Sequence, residues 1–251
     1  MSFLFPIRRA MSLPFGLPLG LDKTAFLHTL AGVVYRDIRC RCRLYDELTR
    51  IASKHPTDKG VTFYPFHGYT RHYHSVFNTL RHLPITILEI GLARKRDRND
   101  PRVTCPSLQL WAEYFPYASI VGFDLDDFSM VHQPRTTIFR GDQGNPKDLA
   151  QVVARFPRLD IVIDDGSHAS FHQQNSLRTL WPYMTSNGIY VIEDLDEQPE
   201  LETSLPNCPK TRDLLKDLPA LHQLIDKIGE IRFFDSPLRG VANTMACIVK
   251  R

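Results

Sequence analysis

Two stretches of the chain concentrate groups that could do chemistry. Asp164, Asp165 and His168 stand in the run IDDGSH, and Glu193 and Asp194 close the run YVIED. Carboxylates gathered without a cation repel one another or are forced to hold protons. A hard divalent ion resolves that conflict. Mg2+ takes oxygen ligands and keeps waters, whose places substrate hydroxyls can fill. Asp165, Glu193 and Asp194 are therefore candidate metal ligands. No Cys or His cluster surrounds them, which disfavours zinc. His168 follows Asp165 by three residues. Its imidazole can accept a proton from a hydroxyl near neutral pH, and metal coordination would ease that transfer. Each motif also has a plain reading: DDG is turn chemistry, an acidic pair can open a solvated loop, and a lone histidine can cap a helix.

What must position these groups is a sheet. Short apolar runs recur at 85–90, 119–124, 136–140, 159–164 and 188–193, with helix candidates at 107–115, 146–156 and 170–182 between them. The runs are unbroken in Ile, Val and Leu, which reads as buried parallel strands. Strands alternating with helices predict an α/β fold, a doubly wound, mostly parallel sheet. Two further runs, 231–234 and 245–250, lie close enough in sequence to pair antiparallel and complete seven strands.

In such sheets ligands bind beyond the carboxyl ends of the strands, and each of the first five runs ends in or just before an acid: Glu89, Asp124, Asp142, Asp164–Asp165 and Glu193–Asp194. Acids are depleted from strands, so the placement is informative. Gly91 lets backbone pass close to a ligand. Asp124, at the tip of the second strand, can accept both hydroxyls of a ribose. The sequence after Gly91 is LARKRDRNDP, which lacks the GxGxxG loop of dinucleotide sites. That disfavours a nicotinamide-dependent oxidoreductase and leaves a nucleoside cofactor with no phosphate to cradle. S-Adenosylmethionine is the candidate, with Asp142 and Gln143 near its adenine. The plain alternative is that Gly91 makes a turn and Asp124 caps a helix.

At this point the residues resemble a family. LYDELTRIASKHPTDKG, HGYTRHY, LEIG, SLQLWAEYFP, GFDLDD, GDQGN, IDDGSH and YVIEDL occur in that order over residues 44–250. They are similar to the class I, metal-dependent O-methyltransferases of the macrolide and rhamnosyl group, which methylate natural-product hydroxyls. IDDGSH followed by VIEDL is the most specific part. The resemblance implies a Rossmann-like methyltransferase fold, with Asp165, Glu193 and Asp194 as Mg2+ ligands and His168 as general base. It places Glu89, Gly91, Asp124, Asp142, Gln143 and Asp164 at the S-adenosylmethionine pocket. The acceptor it implies is a small-molecule hydroxyl, on a sugar or polyol, in secondary metabolism. Thr57–Tyr73 looks like the family's N-terminal lid; no role carries over to its individual residues, and His67, His72 and His74 read as solvated or packed against aromatics. One departure stands out. After LEIG the family shows a short glycine-containing loop, whereas here a longer insert, residues 92–106, carries Arg94, Lys95, Arg96 and Arg98. This departure motivates an alternative: a non-catalytic S-adenosylmethionine-binding module on the same fold.

The chain divides, on this reading, into an irregular arm over 1–24, a helical extension and lid over 25–84, and a methyltransferase domain over 85–251. The arm carries Arg8 and Arg9 and no acid before Asp22, as organelle transit peptides do, but Pro6, Pro14 and Pro18 prevent a continuous helix. A net charge of +3 does not mark a dedicated nucleic-acid binder. No apolar stretch approaches the roughly 20 residues of a bilayer span. The five cysteines are odd in number and scattered, which suits reduced thiols in a cytoplasmic protein. The N-terminal helices could pack on their own domain or on a second copy, making a homo-oligomer.

Overall fold

The structure, a computed structural model, describes residues 46–63, 67–92, 104–196, 208–235 and 244–251. The arm, the expected helix before residue 46, the basic insert around Arg94–Arg98 and residues 197–207 lie outside the described residues. The compact unit that holds the sheet runs Leu44–Arg251.

The seven strands are β1 (Thr86–Ile90), β2 (Ser119–Asp124), β3 (Thr136–Arg140), β4 (Leu159–Asp164), β5 (Met184–Ile192), β6 (Ile228–Asp235) and β7 (Thr244–Lys250). They form one sheet in the order β3-β2-β1-β4-β5-β7-β6. β1 to β5 run parallel, and β7 is antiparallel to both β5 and β6. The strand order reverses between β1 and β4, so the crevice beyond their carboxyl ends is the expected ligand position. One expectation needs correction. β3 is half-buried rather than buried, because it is an edge strand with β2 as its sole neighbour; its sequence TTIFR, with two threonines and an arginine, suits that position.

Side chains alternate across the sheet, and this alternation sorts the core into two layers. Ile87, Ile161, Ile163, Ile189 and Val191 face one layer, where they meet Leu108, Trp111, Tyr69, Tyr73 and Phe77. Leu88, Ile90, Val162, Tyr190 and Ile192 face the other, against Leu149, Val152, Leu177 and Trp181. The helices Glu47–Ala52, Thr70–Phe77 and Pro106–Tyr114 supply the first layer. Pro146–Arg155 and Ser170–Leu180 supply the second. Local chemistry sets the helix starts: Asp46 accepts from Thr49 N at 2.9 Å, and Asn145 accepts from Lys147 N at 3.1 Å ahead of Pro146. Among the described residues no helix is long and apolar enough to cross a membrane.

Candidate active site

The strand tips are level. Ile90 lies opposite Asp164, and Asp164 opposite Ile192. The ladder continues one residue further, with Asp165 N donating to Ile90 O and Glu193 N to Asp164 O, both at 2.9 Å. Period-two alternation then decides which way each acid points. Glu89, Asp165 and Glu193 share the parity of Ile87, Ile163 and Val191, so they face the layer built by the N-terminal helices. Asp164 has the opposite parity and points into the other layer. There it accepts from Gln143 Nε2 at 2.7 Å and Ser176 Oγ at 2.6 Å.

The first face is where the acids converge. Asp165, His168 and Asp194 each offer an atom lying within 4.8 Å of the other two, the only such potential metal-binding group found among the described residues. His168 Nε2 stands 3.8 Å from Asp194 Oδ2. His168 and Asp194 both adopt left-handed backbone, at φ 61° and 53°; each costs of order 1 kcal/mol or more for a non-glycine residue and marks a place where surroundings dictate the backbone. Glu193 is adjacent, 1% exposed, and its Oε1 accepts from Lys59 Nζ at 2.7 Å and from the Tyr73 hydroxyl. Burial and the Asp165 charge hold Glu193 well above the usual carboxylate range, with Lys59 pulling the other way. Asp194 is raised by burial and by Asp165, opposed by His67 and His168. Its Oδ1 accepts from the Tyr69 hydroxyl at 2.8 Å and lies 3.4 Å from His67 Nδ1.

Sequence reasoning assigned no role to Lys59, Tyr69 and Tyr73. All three come from the 57–73 segment and all three donate to the acid cluster. Their signal was the TDK and HxY pattern, but the partners lie more than 100 positions away, so no local pattern states the pairing. The same segment was read as leaving His67 solvated or packed; the structure sets it against Asp194.

The residues expected at a nucleoside pocket occupy the tips of β1 to β4. Gly91 has φ +85°, and a Cβ there would lie 2.0 Å from the Asp165 carbonyl oxygen. What approaches Gly91 is thus the backbone of the β4 loop. Asp124 is buried and accepts from Leu92 N at 2.8 Å and Asp126 N at 2.9 Å, fastening the loop after β1 to the end of β2. Asp142 is exposed and accepts from Gly144 N at 2.8 Å. Gln143 is buried, donates to Asp164 and Ser176, and accepts from Ser167 N at 3.2 Å. Glu89 is fully buried, 3.3 Å from Lys59 Nζ, and burial pushes its carboxyl up to about 7 against the pull of that ammonium. The structure therefore brings Glu89, Asp165, His168, Glu193 and Asp194 to one face, and sets Gln143 with Asp164 on the other.

Comparison with known proteins bears on the fold and on the kind of protein the chain is similar to. No protein-family model matches the chain. Over 149 residues it is 37% identical to the 8-demethyl-8-(2-methoxy-alpha-L-rhamnosyl)-tetracenomycin-C 3'-O-methyltransferase of Streptomyces olivaceus, a match covering 59% of this chain and 37% of that protein. It is 35% identical over 149 residues to the mycinamicin VI 2''-O-methyltransferase of Micromonospora griseorubida, covering 59% and 36%. The matched stretch thus spans little more than a third of the curated relatives' length. Among solved structures the chain is similar to the MycE methyltransferase of the mycinamycin biosynthetic pathway, in complex with Mg, SAH and mycinamycin VI. The TM-score is 0.68 at 28% identity, over 82% of this chain and 54% of that one. A second MycE structure, with Mg and SAH, gives 0.67 at 27%. The fold is that of class I methyltransferases, and the relatives named are O-methyltransferases of sugars and macrolides, as the motifs implied.

Proposed function

We propose that this chain is a divalent-metal-assisted O-methyltransferase that moves a methyl group from S-adenosylmethionine to a hydroxyl of a small-molecule natural product, on a sugar or polyol. The convergence of Asp165, His168 and Asp194 at the β4 and β5 tips, with Glu193 beside them, carries this reading. The relatives' names and the Mg- and SAH-bound neighbours support it.

The residues fit a hard cation. The donors are carboxylate oxygens: Glu89, Asp165 and Glu193 share the Lys59 ammonium, and Asp194 stands beside His67 and His168. Asp165, Asp194 and Glu193 would hold the ion, which supplies, when bound, Lewis acidity that lowers the pKa of an acceptor hydroxyl. S-Adenosylmethionine supplies an electrophilic methyl group and a neutral thioether leaving group. We assign Glu89, Gly91, Asp124, Asp142, Gln143 and Asp164 to its pocket: Asp124 to accept from ribose hydroxyls, Gly91 and Gln143 to fix the β1 and β4 loops that bound it. His168 takes the acceptor's hydroxyl proton as the new C–O bond forms. Positioning of the two reactants supplies the larger share of the rate. On this reading residues 85–251 are the transferase domain and 57–73 its lid, and the acceptor is not a nucleic acid.

The test pairs calorimetry with turnover. S-Adenosylmethionine should bind, and a panel of sugar-bearing macrolides and polyols with methyl-deuterated donor should yield a product heavier by one CD3 group in the presence of Mg2+. Donor binding without transfer to any acceptor would leave only the binding-module alternative.

A further inference from the structure

Lys59 is 1% exposed. Lysine is almost never buried so fully unless paired, and here it has three partners. Its Nζ lies 2.5 Å from Asp165 Oδ2, 2.7 Å from Glu193 Oε1 and 3.3 Å from Glu89 Oε1. These acids come from the ends of three different strands, β4, β5 and β1. Three carboxylates from three strands thus surround one amine within 3.3 Å, an arrangement that favours its charged form.

Two consequences follow. First, Lys59 fastens its own segment. His67 N donates to Asp58 O at 2.7 Å, Gly68 N to Gly60 O at 2.9 Å and Thr70 N to Lys59 O at 3.1 Å. The backbone around Lys59 is thus tied to the start of the Thr70–Phe77 helix, which brings Tyr69 and Tyr73 onto Asp194 and Glu193. Second, two of the carboxylates assigned to the ion, Asp165 and Glu193, are already engaged by a protein cation. Like charges a few ångström apart in a buried site repel strongly.

We propose that Lys59 is a positioning residue that latches residues 57–63 and 67–73 over the site and shares Asp165 and Glu193 with the divalent ion, so that the chain itself weakens its hold on the ion. This rests on the metal-assisted reading above. Binding linkage is reciprocal: an ion that draws on these carboxylates loosens the latch, and a closed latch loosens the ion.

The experiment is calorimetric titration of Mg2+ alone into the wild-type chain, Lys59→Met and Lys59→Gln, with circular dichroism reporting the fold. Both variants are expected to bind Mg2+ more tightly, by about tenfold or more given the distances involved. They are expected to melt earlier without the ion and to recover in saturating Mg2+. A purely structural lysine would leave ion affinity unchanged or weaken it, so equal or weaker binding by the folded variants overturns the proposal while the metal reading stands. Failure of both variants to fold even in saturating Mg2+ also overturns it, because an ion sharing those carboxylates would substitute for the ammonium. Flat titrations for wild type and variants alike overturn both readings.

Discussion

Gly91→Ala tests whether the site is built on a backbone contact between the loops after β1 and β4. At φ +85° an alanine is strained, at roughly 1–2 kcal/mol for left-handed backbone in an L-residue. Its Cβ would also lie 2.0 Å from the Asp165 oxygen, 2.6 Å from the Asp165 carbonyl carbon and 2.9 Å from Gly166 Cα. These are main-chain atoms, so no side chain can swing aside. Overpacking of this kind costs about 1–3 kcal/mol. Together the two effects should remove about 2–5 kcal/mol from a stability typically of 5–15 kcal/mol. At 2–4 °C per kcal/mol for a chain of this size, the melting temperature should fall by roughly 4–20 °C. Urea unfolding followed by circular dichroism measures the loss. Gly60→Ala is the control: its Cβ would meet only Ala52, at 3.2 Å from that Cβ, with no positive φ, and it should change stability by less than about 1 kcal/mol. A loss below about 1 kcal/mol for Gly91→Ala, or equal losses for the two variants, would refute the contact as the organising feature of the site.

Other outcomes follow from the same geometry. His168→Ala should bind S-adenosylmethionine normally and lose about 10²–10⁴-fold in turnover, as removal of a general base does; near-normal turnover would take His168 out of the mechanism. Excess chelator should abolish transfer and added Mg2+ restore it, and full activity in chelator would count against the metal site. Ser176→Ala withdraws a donor from buried Asp164 at 2.6 Å, and urea unfolding should show a loss of about 1–3 kcal/mol; an unchanged midpoint would show that Gln143 alone suffices. Glu89 gives a pH dependence. Its folded value, about 7, lies above the ordinary 4.5, so the folded state binds the proton more tightly than the unfolded chain. The resulting stabilisation, of order 3 kcal/mol, is full below about pH 4.5 and lost as pH rises through 7. Denaturation of the metal-free protein from pH 4 to 8 should therefore show a steeper decline in the parent than in Glu89→Gln, and parallel curves would refute this.

Why some of this was legible and some not comes down to the range of each interaction. Unbroken apolar runs and the acids closing each strand are local signals, and the described strands and helices stand within a few residues of where those signals place them. The meeting of Asp165 with Asp194 was also readable, since parallel neighbours put strand tips side by side. Asp142 and Gln143, adjacent in sequence, take opposite orientations: the backbone leaving β3 turns Asp142 outward, while Gln143 folds inward to satisfy Asp164. Asp164 and Asp165 part in the same way, for successive residues leaving a strand face opposite layers. Gly91 was read as room for a ligand, and it is first of all room for the Asp165 carbonyl. The deepest omission was charge balance. Counting acids at the tips called for a cation, and a hard divalent ion was the answer that carboxylate oxygens suggest. The N-terminal segment supplies an ammonium from the other side of the fold, and parity shows why it can: Glu89, Asp165 and Glu193 all face the layer that segment covers. One ammonium does not neutralise the three carboxylates it meets, so Lys59 reduces the electrostatic demand for a cation without removing it.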